Sequence, residues 1–514
     1  MSPVAGATAV AIQDVDCLAL LALKVAPNVF DISSGQHHVS IRDQIVRGQL
    51  LVRDLCRLDP DFNRLLVIGA GAGGAATAVA AAQANLQVRL IDAAPEPFSL
   101  QRGVTQRFVA PFMYEWPSGF SDDQRYPPRD PAVWGPAHPA APVWNDTTPV
   151  SADALASDLD GWFRDEIAGL HGGLQCWCSV NRDTVRRFVH AFVATTTSNL
   201  WIKLAGHLSP HPLPRFSADI VQWPDGTACK EEFVPDYIVL AAGMGAENTA
   251  IGEDVRGTHF WGDDDLCDAA TVHRSIGIFG GGDGALQDAL RALTGHRHPL
   301  ETLEALRADE DARKALDVAA QSLITLEAQG RLYACWTQGR DIDATARLDE
   351  GCRRIAQTAA GDPDLKRCVL GCIRECGGGR QGIVHHVVLE THFTKAYMLN
   401  RFLIHLMNAA LGPTGTRSKD RMDYRLMFGY RTAYATAKGP QPGRCEIGIE
   451  SIAGPDRPIL ELDLAVVRFG LDRREIASGY SPKPTGLQMV QLSKNDSGQR
   501  TSLAQIPLPF ALPK

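Results

Sequence analysis

Three glycines, at positions 69, 71 and 74, stand between an apolar run (65–68) and an Ala-rich stretch of helical composition. That order of parts holds the pyrophosphate of a dinucleotide. Gly69 permits a tight turn, Gly71 lets the backbone approach the phosphates, and Gly74 lets helix and strand pack closely. The helix start then offers unpaired N–H groups and a positive dipole end to the anion. A second strand, 88–91, runs into Asp92, eighteen positions past Gly74, where a carboxylate would accept hydrogen bonds from a ribose. A glycine pattern alone is weak evidence. Strand, turn, helix, strand and acid in succession are specific.

The motif recurs. Ser275–Phe279 reads as a strand, Gly280-x-Gly282-x-x-Ala285 as the turn, and 286–293 as the helix. Between the two motifs, 236–243 is a buried strand ending in small residues at Gly243. A complete second half-domain needs another hydrophobic strand after Gly295, and none is visible around His296 and His298. The second unit therefore reads as partly degenerate. Arg297 is a candidate for meeting a 2′-phosphate, with a solvated loop as the alternative. Further on, if 383–392 is extended, His386, Glu390 and His392 share one face, because side chains alternate with period two. Two imidazoles and a carboxylate there could exchange protons with a substrate, or could be satisfied polar residues at a strand edge. Tyr114, Glu115 and Trp116 offer an aromatic wall with one polar handle. Cys368, Cys372 and Cys376 recur every four residues, the spacing of a buried helical stripe, and Cys176-Trp-Cys178 lacks the two-residue spacer of a redox pair. No metal site is expected.

These groups imply an α/β fold: a Rossmann-type dinucleotide unit, a second and partly degenerate unit, and a helical insertion. Residues 1–63 form an N-terminal extension with a helix at 43–56. The first unit spans 64–270 and carries a Pro- and Trp-rich insertion at 96–150, with seven prolines from Pro127 to Pro149. Such proline density prevents regular structure, and a connection that long is usually functional. Residues 271–300 form the second nucleotide-type unit, 301–440 a mainly helical substrate or cap region, and 441–514 the C-terminal strands and a polar tail. Ser151 is the expected N-cap of a helix burying Leu155, Leu159, Trp162, Phe163 and Ile167.

With 514 residues, 45% of them apolar, the chain can bury a large core. A formal charge of −8 argues against nucleic-acid and anionic-membrane partners, which need a basic footprint. No run approaches the ~20 apolar residues of a membrane span, and the short run after Asp16 lacks the basic start of a signal peptide. A cytoplasmic protein acting on a small molecule, possible as a homo-oligomer, is expected.

The ordered motifs resemble the two-dinucleotide-binding flavoproteins, which include the pyridine-nucleotide disulfide reductases and the class B flavin monooxygenases. The resemblance covers about 64–95 and 236–293. It implies FAD at Gly69, Gly71, Gly74, Asp92 and Gly243, and NADPH or NADH at Gly280, Gly282, Ala285 and Arg297. The reductases carry a redox Cys pair near one of the two motifs; this chain has none there. The implied activity is therefore an NAD(P)H-dependent monooxygenase working through a flavin C4a-(hydro)peroxide. An oxidase or dehydrogenase taking hydride directly from an amine or alcohol is the rival, and a nucleotide-binding sensor or scaffold is the non-enzymatic one.

Overall fold

The computed structural model describes residues 23–32, 41–110, 116–117, 148–170, 172–205, 209–243, 247–268, 273–336, 341–376, 381–394, 396–412, 420–438 and 444–470. Two sheets dominate, one mixed with a parallel centre and one wholly parallel. The first has eight strands, in the order Lys24–Ala26, Val29–Asp31, Tyr237–Leu240, Arg64–Ile68, Gln87–Ile91, Leu174–Cys178, Phe216–Trp223 and Thr227–Phe233. Its five middle members, from Val29–Asp31 to Leu174–Cys178, run parallel; the outer pairings are antiparallel. The second sheet has four parallel strands, in the order Met422–Phe428, Gly382–Val388, Ser275–Phe279 and Leu464–Val467. The fold is α/β with two Rossmann-type units.

The second unit is more complete than 271–300 suggests. Its missing strand is Gly382–Val388, which pairs with Ser275–Phe279 from Ser275↔Ile383 to Phe279↔Val387. The helices Pro299–Arg307, Glu310–Trp336, Asp341–Ala359 and Pro363–Cys372 intervene in the chain. They form no separate cap. Leu303, Leu316, Leu323, Ala356 and Leu365 share one core with Leu399, Phe402 and Leu403 of helix Met398–Leu411, which crosses over to Met422–Phe428. Boundaries at 300 and 440 thus cut through a single unit. A three-stranded antiparallel sheet, Tyr430–Ala437, Cys445–Ser451 and Ile459–Leu462, precedes its closing strand.

Compared step by step, the two units share one plan. Each opens with a strand, a glycine turn and a helix, and sets a second strand beside the first. A crossover helix leads to a third strand, an antiparallel excursion follows, and the last strand returns to the other side of the first. The first unit also incorporates much of the N-terminal extension. Val29–Asp31 extends its sheet, and helix Ile41–Leu58 crosses helix Ala72–Gln83 where a Cβ on Gly48 would stand 2.0 Å from Thr77 Oγ1. Helix Ala152–Gly169 starts as expected, with Ser151 accepting Ala154 N–H at 3.1 Å. Pro363–Cys372 ends before Cys376, so the three cysteines do not form one helical stripe. Among the described residues no helix is long and apolar enough to cross a membrane, and no group of three His, Cys, Asp or Glu could hold a metal ion.

Candidate functional site

The first glycine turn is shaped by close approaches on two sides and openness on the third. Gly69 has φ +109°, and a Cβ there would lie 2.3 Å from Ala241 O. A Cβ on Gly74 would lie 1.8 Å from Gly69 O, so only glycine lets helix Ala72–Gln83 sit this close to its strand. A Cβ on Gly71 would meet nothing within 4 Å. That space adjoins the helix N-terminus, which has no side-chain cap and no acid in its first turn. Unpaired N–H groups and a free dipole end face it. Asp92 follows the second strand, and its carboxylate accepts Ala70 N–H at 2.5 Å and Ala94 N–H at 2.8 Å. It therefore fixes the turn and stands beside it. The donor set fits a dinucleotide pyrophosphate with its ribose near Asp92. Gly243, at φ +84°, ends the small-residue segment after Tyr237–Leu240.

The second turn repeats this backbone bonding. Gly69 N donates to Ile91 O at 2.7 Å, and Gly280 N to Val387 O at 2.9 Å. Phe98 N reaches Ala70 O, and Thr394 N reaches Gly281 O, both at 3.1 Å. Ala241 N donates to Ile68 O, and Arg468 N to Phe279 O, both at 2.7 Å. Gly470, at φ +82°, repeats Gly243. Gly280, at φ +141°, lies under Arg468 O as Gly69 lies under Ala241 O. Gly282 is the N-cap of helix Asp283–Thr294, and Ala285 is buried where Gly74 sits in the first unit. Two positions differ in chemistry. This register sets Val388 in the place of Asp92, with its Cγ1 2.6 Å from where a Gly281 Cβ would be. Asp283 takes the place of Ala72.

Arg297 does not serve this turn. It lies past the C-terminal end of a 12-residue helix that begins at the turn, about 18 Å away at 1.5 Å per residue. There it pairs with Glu301 at 3.4 Å and covers the Phe108 ring at 4.4 Å.

The face expected to join His386, Glu390 and His392 does not form, because the strand ends at Val388. Gly429 N captures Glu390 O at 3.0 Å, which bends the chain, and Glu390 is exposed while His392 is buried. His386 is fully buried behind the second turn. Gly280 O can only accept, so His386 Nε2–H donates to it at 2.8 Å, and Nδ1 accepts from Tyr424 Oη at 2.7 Å. Burial pushes this imidazole down to about 4. His386 is a neutral prop for the glycine turn.

Sequence reasoning missed a buried ion cluster where the two units meet. Arg107, from the first unit, bonds Asp288 at 2.5 Å and Asp264 at 3.0 Å. Arg291 bonds Asp264 at 2.7 Å and Asp288 at 2.9 Å, and Arg468 bonds Asp288 at 2.8 Å. The Phe260 ring lies 4.4 Å from the Arg107 guanidinium. Nothing local marks these residues, which come from four separate segments. Nearby, Asn248 N donates to Gly470 O at 2.8 Å and ties together the segments that follow the two closing strands. Trp116 is no pocket wall: it is 2% exposed and packs on Phe402 of the second unit, with ring centroids 5.4 Å apart. Tyr114, Glu115 and most of the Pro-rich insertion lie outside the described residues. Cys176 and Cys178 bring their sulfurs to 3.9 Å inside the first sheet, where both are buried. A hydrogen bond to Cys178 and burial push the Cys176 thiol well up, away from the reactive thiolate.

No protein-family model matches the chain, and no curated protein sequence does. Among solved structures it is similar to the Lactococcus lactis thioredoxin reductase in its FR conformation, with 10% identity, 80% of this chain and 78% of that one covered, and a TM-score of 0.33. The T. acidophilum thioredoxin reductase gives 9% identity, 86% and 96% coverage, and a TM-score of 0.30. For that of Giardia duodenalis the values are 12%, 79% and 76%, and 0.25. These superpositions are loose, and the strand order above carries the fold assignment by itself.

Proposed function

We propose that this protein is an FAD-dependent oxidoreductase, with FAD in the first cradle and NADPH or NADH at the second turn, and that it oxygenates a small molecule. The observation that carries the reading is the duplication: two glycine turns with the same backbone bonding, each at the carboxyl end of a parallel strand, where open α/β sheets bind ligands. One turn holds the electron donor and the other the flavin. FAD, when bound, supplies the redox chemistry. The residues supply position: Gly71 admits the pyrophosphate, Asp92 accepts from the ribose, and His386 steadies the second turn from behind. The Cys176–Cys178 pair is sealed in a sheet, which favours a diffusible acceptor over a protein dithiol.

A direct oxidase remains as the second reading, favoured by one observation: Val388 stands where a ribose-binding carboxylate would be. Anaerobic mixing separates the two. On the first reading NADPH or NADH bleaches the flavin. If neither does, while an amine or alcohol substrate does, the oxidase reading replaces it. A chain that neither carries FAD nor can be reconstituted with it would refute both.

A further inference from the structure

The two cradles agree in backbone and disagree in charge. Helix Ala72–Gln83 has no acid in its first turn, so its positive end is free for an anion. Helix Asp283–Thr294 begins with Asp283. This carboxylate accepts Tyr397 N–H at 3.0 Å and Asn400 Nδ2–H at 2.8 Å, and so caps helix Met398–Leu411, which has no side-chain cap of its own. The partner amide is only half satisfied, since Asn400 Oδ1 is buried without a partner.

The charges around Asp283 do not cancel it. Arg401 is the cation that reaches it, but Arg401 is held by Asp349 at 2.6 Å and by the carbonyls of Phe393 and Thr394. On its own helix, Asp288 and Arg291 are taken up by the interunit cluster. From the adjoining loop come His392 and the carboxylate of Glu390, whose Oε2 lies 3.7 Å from the Gly281 Cβ direction. Lys395 of that loop lies outside the described residues. A pyrophosphate bound here would bring further negative charge to a helix end that already has a carboxylate.

We infer that Asp283 sets the affinity of the second cradle: its ionised carboxylate and a dinucleotide pyrophosphate compete for one helix N-terminus, so a nicotinamide dinucleotide binds with uptake of one proton by Asp283. The inference rests on the reading that the second turn takes a dinucleotide. Burial already holds this carboxyl up, at about 6. Above that value each pH unit costs the dinucleotide up to about tenfold in affinity, until the pKa of the complex is reached. The first cradle, with Ala72 at the same position, has no such dependence.

The test is calorimetric titration of the FAD-loaded full chain with NAD+, which has no group titrating between pH 5.5 and 8, in two buffers of different ionisation enthalpy. Wild type should bind about fiftyfold or more weakly at pH 8 than at pH 5.5, taking up close to one proton at pH 7.5. Asp283→Asn, whose Oδ1 can still accept both hydrogen bonds, should bind at pH 8 as wild type does at pH 5.5, with no proton uptake. Asp283→Ser, which keeps an acceptor for Tyr397 N–H, should do the same, and flavin content and melting temperature report that either variant is folded. If wild type is flat with pH, or a folded variant keeps the dependence, the inference falls and the dinucleotide reading stands. If neither NAD+ nor NADP+ binds at any pH, both fall together.

Discussion

Replacing Asp288 by Asn removes one of only two carboxylates from a buried cluster with three guanidiniums. Arg107, Arg291 and Arg468 each bond Asp288, and Asp264 is the remaining anion. The cluster already carries one uncompensated positive charge; Asp288→Asn makes it two, in a place where Asp288 and Arg107 are fully buried. Breaking a buried ion pair from one side costs about 3–5 kcal/mol, and because Asn keeps one acceptor the lower end, about 3 kcal/mol, is expected. Arg107→Met makes the opposite change, leaving two cations for two anions, and should cost less, about 1–2 kcal/mol, despite removing the larger side chain. Burial alone would raise the Asp288 pKa, but Arg107, Arg468 and Arg291 hold it far below the usual range. Its contribution is therefore present above the unfolded value near 4 and is lost only as pH falls below that, so the penalty should be constant from pH 5 to 8. Urea unfolding of the FAD-loaded protein, followed by flavin and by tryptophan fluorescence, is the assay. In Asp288→Asn the two signals should separate, because the cluster joins the units. Coincident transitions shifted by under about 1 kcal/mol, or a costlier Arg107→Met, would refute the charge argument.

Gly71→Val should abolish FAD copurification while the fold survives, because the space beyond Gly71 is empty of protein and a side chain would fill it; a yellow Gly71→Val protein would count against that cradle. The buried imidazoles predict acid sensitivity. Burial holds His386 and His385 down to about 4 and His298 down to about 3, each against an unfolded value near 6.5. A lowered histidine stabilises the fold above the unfolded pKa and loses that contribution as pH falls through the window to the folded value. Between pH 6.5 and 4 unfolding free energy should drop by up to about 1.4 kcal/mol per pH unit per histidine. Denaturant midpoints at pH 7, 5.5 and 4.5 check this, and flat midpoints would contradict it.

What the sequence reveals here tracks how local each feature is. The first cradle is contiguous: strand, turn and helix lie within 64–83, and the glycine spacing encodes the contacts that Gly69 and Gly74 make. Gly382–Val388 was readable as a strand but not as the neighbour of Ser275–Phe279, because five helices separate them and pairing leaves no mark in either segment. Arg297 illustrates the reverse error. It is close to the turn in sequence, yet a whole helix carries it to the far end. The proposed face of His386, Glu390 and His392 assumed that alternation outlasts Val388; what stops the strand is Gly429 N taking the Glu390 carbonyl, a tertiary bond. Arg107 and Asp288 are 181 positions apart, and no window of sequence contains both.

Trp116 and Arg107 belong to the first unit but come to rest against the second, on Phe402 and Asp288. During synthesis their partners Phe402 and Asp288 do not yet exist when the first sheet is already complete at Leu240. A nascent chain at that stage holds an indole and a guanidinium bound for sites still to be made, the kind of exposure that invites aggregation in larger proteins. The two units therefore mature together, and a gene fragment ending near residue 270 should yield an aggregation-prone protein even though every strand of its sheet is present.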